Sequence, residues 1–432
     1  MSKKKVVILG AGLAGLSAAW HLQKKKIECF VFEKEPAVGG LCRSKQLKGF
    51  IFDCDGHLLH FRNKYTLQLV RRLLKGNLVS HRRSAWINSF GIFSRYPFQA
   101  NLCALPKPIA KECLFEFLKA SQSQDDKPPV NFLQWINASF GKGISRHFMV
   151  PYNKKFWTVP LGTMISAWTG NFIPVPKPSE VIEGFFTENK HRFGYNSTFW
   201  YPRQAGIGQL PLAFEQQLRH VSKNCCVNAI DLQKKQLNIF GKGKVEFDTL
   251  ISTMPLPELA KIIRPLPRNI LNMFEKLRWN SIFNLNLGIE GACQEGRHWI
   301  YFPHKGAVFF RTGFFHNFSN NIVPPGKSAL YTEVAYSKYR PINKNKIVSE
   351  IINDLKACGI LSKENRLSVL DINDIKYGYP IYDKYYFQAT TTIKEFLLRN
   401  NIIACGRYGS WQYMSMEDAI LDGKQVAGKI KR

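Results

Sequence analysis

The stretch VVILGAGLAG at residues 6–15 constrains this 432-residue chain more than any other. Four consecutive apolar residues form a strand buried on both faces, and the run after the glycines, LSAAWHLQKK, has the composition of a helix. Strand, glycine turn and helix make a cradle for a pyrophosphate. Gly10 permits the tight turn, Gly12 lets the backbone approach the phosphates and Gly15 lets helix and strand pack closely, while the helix N-terminus offers N–H groups and a positive dipole end. A second strand, IECFVFE, ends at Glu33, where a carboxylate can accept hydrogen bonds from an adenosine ribose.

The next residues, KEPAVGGLCRS, separate FAD from a nicotinamide cofactor. Gly39, Gly40 and Arg43 resemble the second flavin motif of the glutathione-reductase-like and amine-oxidase-like families, which implies that they line the pyrophosphate. Two later blocks return the chain to this unit. Residues 225–260 read as short strands joined by turns, with Val227 as the expected backbone contact to adenine. Residues 401–430 read as a strand, a turn carrying Gly406 and a helix beginning near Glu417 and Asp418, whose N-terminus is expected to face the flavin.

The expected fold is therefore α/β, α+β overall. It combines a Rossmann-like FAD-binding domain (1–80, 203–262 and 396–432), a mostly helical substrate domain (100–195) and an antiparallel-sheet domain (81–99 and 270–395). Composition narrows the partners. Lysine and arginine outnumber acids by 61 to 31, which favours anionic ligands, but the lysines are scattered and no aromatic-basic ladder marks a nucleic-acid groove. Ten cysteines include no CxxC pair, so neither zinc ligation nor a disulfide frame is expected, and no metal site is assigned. No run of apolar residues is long enough to cross a membrane. The expectation is a reduced, cytoplasmic enzyme.

Five blocks then resemble the UDP-galactopyranose mutases, particularly the eukaryotic type. FDCDGH at 52–57 is similar to that family's histidine loop, RYPFQ at 95–99 to its uracil-binding motif, and PYNKKFW at 151–157, followed by Ser166-Ala167-Trp168, to its helical nucleotide segment. WIYFP at 299–303 with Phe310-Arg311, and GRYGSWQY at 406–413, complete the set. The resemblance implies that Tyr96, Phe98, Gln99, Asn153 and Trp157 bind the nucleotide, joined by Asn196, Phe172, Trp299 and Tyr301. It also implies that Arg311, Tyr379 and Tyr413 hold the diphosphate, and that Gly56 and His57 lie against the isoalloxazine. The implied reaction is a redox-neutral interconversion of pyranose and furanose forms, in which N5 of FAD, reduced by an external donor, attacks the anomeric carbon. Read by their chemistry alone, aromatics with an amide suit a planar base, and an arginine with tyrosines suits a diphosphate.

Four positions depart from that pattern. Phe172 follows the Ala-Trp segment where the family has a second arginine, with Lys177 the nearest replacement cation in sequence. Phe318 stands for a tyrosine, and Asp55 for a glycine. Glu417 replaces an asparagine and is expected near the phosphates unless, with Asp418, it caps its helix. These departures keep open an FAD-dependent oxidase or desaturase resembling the protoporphyrinogen oxidases and amine oxidases.

Overall fold

The computed structural model describes residues 4–123, 128–189 and 197–431. A five-stranded parallel sheet forms where the fingerprint predicts it. Its order runs Ile402–Ala404, Thr249–Ser252, Val6–Leu9, Cys29–Phe32 and Val221–Ser222. All four residues of Val6–Leu9 are buried, as the unbroken apolar run requires of a central parallel strand. The helix Leu13–Lys24 packs on this sheet and is clasped from outside by the helix Met416–Lys429. Ser17 Oγ donates to Ile420 O at 2.6 Å, and Gly423 brings the two backbones together.

The meander at 227–246 forms a separate four-stranded sheet completed by Ile263–Arg264. A seven-stranded sheet carries the second half of the chain. It is built around Trp279–Glu290, which lies between Lys327–Tyr336 and Arg366–Pro380. Its pairings are antiparallel apart from Trp299–Tyr301, which runs parallel to Ala85–Ser89. Helices Lys107–Ser121 and Phe132–Ile144 head the helical region, whose core holds Phe117, Phe132, Phe140 and Trp157. A π-helical turn, Ser145–Met149, leads into the helix Val150–Trp157. Such a turn inserts one residue into the helical register and rotates the side chains beyond it, and here Asn153, Phe156 and Trp157 face the space between the helical region and the large sheet.

Candidate active site

The glycine motifs meet at the carboxyl end of the parallel sheet. Gly12 bridges Gly39, and Gly39 N donates to Ala11 O at 2.8 Å, so the two flavin motifs form one surface. A Cβ on Gly15 would lie 2.1 Å from Gly10 O, whereas one on Gly12 would meet nothing within 4 Å. The first glycine packs and the second leaves open room above the turn. The helix behind it has no side-chain cap and no acid in its first turn, so its leading N–H groups stay available to an anion. Glu33 holds the turn from below, accepting from Ala11 N at 2.7 Å and Glu35 N at 3.0 Å. Cys225 N bonds to Glu33 O at 2.8 Å, which brings Val227 to the same strand end. Arg43 lies 3.7 Å from Glu35, and Gly406 N donates to Asp422 at 2.6 Å where its turn meets Ala14. An uncapped helix, an open glycine turn and a strand-end carboxylate fit the ADP half of FAD.

Beyond this cradle a cleft opens between the helical region and the large sheet. His57, Gly56, Tyr96, Gln99, Asn153, Trp157, Phe172, Trp299, Tyr301, Arg311, Tyr379 and Tyr413 all line it. Gln99 is oriented by Pro174 O at 3.1 Å and Asn153 by Met149 O at 2.8 Å. Tyr379 and Tyr413 stack at 5.6 Å, and Phe172 meets Tyr413 edge-on at 4.5 Å. Burial raises the phenols of Tyr96, Tyr379 and Tyr413, keeping them neutral hydrogen-bond donors. The indole N–H groups of Trp157, Trp168 and Trp299 are buried at this cleft without a partner among the described residues. These nitrogens are enclosed by the cleft walls rather than open to the cavity, and each buried unmet N–H costs about 1–3 kcal/mol.

Arg311 binds Glu333 through Nε and, at 2.8 Å, through Nη2. Burial disfavours the guanidinium charge, but the fully buried Glu333 carboxylate outweighs it and holds Arg311 charged. Its cation is therefore partly spent before any ligand arrives. Arg407 is a second guanidinium at the cleft, anchored by Nε and Nη2 on Met414 O and lying 5.6 and 5.5 Å from the Tyr379 and Tyr413 rings. Sequence reasoning quoted its block but passed over it; its place beside Gly406 was the available signal. Burial, followed by the charge of Arg407, pushes His57 down to about 4, so the imidazole at the cleft is neutral.

Lys155 was also missed. Its ammonium reaches the carbonyls of Phe302, His304, Ala307 and Phe309 at 2.8, 2.5, 2.6 and 3.1 Å, which ties the helix Val150–Trp157 to the loop that delivers Arg311. Burial pushes this amine down to about 7, while the four carbonyl dipoles favour its charged form.

Several expectations are corrected. Phe98 does not line the cleft; it is fully buried and stacks on Phe148 at 4.9 Å behind the wall. Glu417 does not face the phosphates. Its carboxylate accepts from Arg62 N at 2.9 Å, Asn63 N at 3.0 Å and the Thr66 hydroxyl, and so anchors the start of the helix Lys64–Leu74. Asp418 caps its own helix through Ser415 and pairs with Arg62. Phe318 packs among Phe199, Tyr201 and Tyr331 in the core. Lys177 is an exposed helix-start residue outside the cleft lining. Asn196 lies outside the described residues.

The cradle and its neighbouring aromatic cleft define a flavin-binding enzyme of the FAD dinucleotide-fold class. The model of the flavin-containing amine oxidoreductases matches residues 13–431, and the chain belongs to that family. A crystal structure of reduced UDP-galactopyranose mutase superposes with a TM-score of 0.94 at 27% identity, covering 98% of this chain and 94% of that one. A redesigned putrescine oxidase shares the fold with a TM-score of 0.70 at 17% identity, over 98% of each chain. Among curated proteins, coproporphyrinogen III oxidase of Bacillus subtilis is 22% identical over 410 residues, 82% of this chain and 83% of its own. Among the described residues no helix is long and apolar enough to cross a membrane.

Proposed function

We propose that this flavoenzyme interconverts the pyranose and furanose forms of a nucleoside-diphosphate sugar. The observation that carries the proposal is the cleft itself. One cavity beside the flavin cradle joins the side-chain amides of Gln99 and Asn153 to two guanidinium groups and a set of neutral phenols. That donor set matches a ligand with a planar base and a diphosphate, and the likeness to a mutase over nearly the whole chain supports the same reading.

FAD, bound in its reduced form, supplies a nucleophilic nitrogen for the anomeric carbon. The chain's own residues bind and orient. Tyr96, Gln99, Asn153, Trp157, Trp299 and Tyr301 take the base, while Arg311, Arg407, Tyr379 and Tyr413 receive the diphosphate as it leaves and present it for return. The buried aromatic walls exclude water from the sugar during that interval. Arg311→Ala is expected to retain FAD and to lose about a hundredfold or more in sugar interconversion. A variant as active as the parent overturns the assignment. A binding screen of UDP, dTDP and GDP sugars against the reduced protein, followed by flavin absorbance, tests the ligand class, and no response to any of them sinks the proposal.

Phe172 favours the second reading, an oxidase, because an aromatic ring stands at the cleft where a phosphate-binding cation was expected. Oxygen consumption with amines or porphyrinogens, without nucleotide-sugar turnover under dithionite, decides for that reading.

A further inference from the structure

One face of the seven-stranded sheet carries a polar row at a single level. Arg311, Glu333, Asn284 and Asn373 are register partners across four successive strands. Asp55, on the loop ahead of His57, docks onto this row through Asn284, the register partner of Glu333, and the two carboxyls interact. Asp55 Oδ1 accepts from Gly56 N at 2.8 Å and from Asn284 Nδ2 at 3.3 Å. Asn284 cannot turn its oxygen toward Asp55, because that oxygen accepts from Asn373 at 2.9 Å. Both Glu333 oxygens are engaged by Arg311. Two buried carboxyls in contact, with no donor between them, do not both ionise.

We propose that Asp55 and Glu333 hold one proton between them as a carboxyl–carboxylate pair, and that this pair makes anion capture at Arg311 proton-linked. With one proton on the pair, Arg311, Glu333 and Asp55 sum to zero charge. A diphosphate that engages Arg311 competes with Glu333 for the guanidinium. The Asp55–Glu333 pair, losing part of its neutralising cation, then takes up a second proton from solvent. Burial first, and Glu333 second, hold Asp55 well above the ordinary carboxyl range.

Two neighbouring groups also lie near neutrality and are held elsewhere: burial pushes Asp53 up to about 7, where it is bonded to Ser44, Tyr201 and Ile207 N, and pushes Lys155 down to about 7, where it is bonded to the carbonyls of residues 302–309. Arg311 and Arg407 are permanent cations, while burial keeps the Tyr152, Tyr331, Tyr379 and Tyr408 phenols and the Cys54 thiol protonated. His57 is neutral, and Lys45 and Asp371 are paired with each other a step further away.

The linkage half rests on the proposed function; the pair itself does not. Infrared difference spectra of the FAD-loaded protein at neutral pH, parent minus variant, are expected to show a protonated-carboxyl band that is lost in Asp55→Asn and shifted in frequency in Glu333→Gln, with FAD content as the control for folding. Calorimetric titration with UDP in two buffers of different ionisation enthalpy is expected to show uptake of about one proton by the parent and none by Asp55→Asn. A carboxyl band identical in all three proteins overturns the pair. UDP binding without proton uptake overturns the linkage. UDP failing to bind while the band still distinguishes parent from variants overturns the proposed function and the linkage with it, and leaves the pair standing.

Discussion

Replacing Lys155 with methionine keeps an unbranched side chain one atom shorter and removes three N–H donors from four carbonyl acceptors. Each hydrogen bond to a charged group contributes about 1.5–3 kcal/mol, so roughly 4–9 kcal/mol of interaction is lost. Sparing a buried ammonium its desolvation returns several kcal/mol of that. The net cost is then about 3 kcal/mol, or about a hundredfold in the local opening equilibrium. The damage is expected to be local, because all four acceptors lie between Phe302 and Phe309, just ahead of Arg311. Hydrogen exchange is the suitable assay. Amides of 302–311 should exchange about a hundredfold faster in Lys155→Met, while those of the strand Val6–Leu9 should be unchanged. Ligand affinity should fall with them, since the loop positions Arg311. Unaltered protection at 302–311 would refute the argument, and so would an equal loss across the whole chain.

Other predictions follow from the same structure. Burial lowers His298 to about 4 from its usual 6.5, and Ser84 N donates to its Nδ1 at 2.8 Å, which requires the neutral ring. The unfolded chain takes up this proton near pH 6.5 and the folded chain only near 4, so stability falls with acidification across that window by about 1.4 kcal/mol per pH unit. His298→Asn should flatten the acid limb of the stability curve by that slope, and parallel curves for parent and variant contradict it. Glu417→Gln should cost about 1.5–3 kcal/mol through weaker bonds to Arg62, Asn63 and Thr66, without lowering the affinity for FAD. A direct loss of flavin affinity would return Glu417 to the cofactor site. Phe172→Arg should tighten UDP binding about tenfold by adding a charge-assisted contact at the cleft, and weaker binding counts against a diphosphate there.

The parts of the site that could be read from sequence are those in which neighbours along the chain are also neighbours in space. Gly10, Gly12 and Gly15 form one turn, and Glu33 follows at the end of the adjacent strand, so spacing alone carried the geometry. The cleft was legible only through its blocks, and a block does not say which way each side chain points. Tyr96 and Gln99 face the cavity, while Phe98 between them turns into the core. Lys155 is one of 61 basic residues, and nothing local distinguishes it from the solvated ones. Glu333, Asn284 and Asn373 sit within strands, where an alternating polar residue ordinarily marks a solvent face. Only the register of four strands, drawn from positions nearly a hundred residues apart, reveals that they form a buried row.

The clasp between the first helix and Met416–Lys429 bears on how the protein is made. The helix that cradles the pyrophosphate is made well before its partners, for Ile420, Ala427 and Ile430 supply acceptors for its Ser17 and for the Lys25 that follows it. Those acceptors are synthesised about 400 residues later, a delay of roughly 20–80 s at ordinary elongation rates. Throughout that interval the glycine turn lacks both its outer helix and the edge strand Ile402–Ala404. The complete cradle therefore exists only once residues 402–430 have been made.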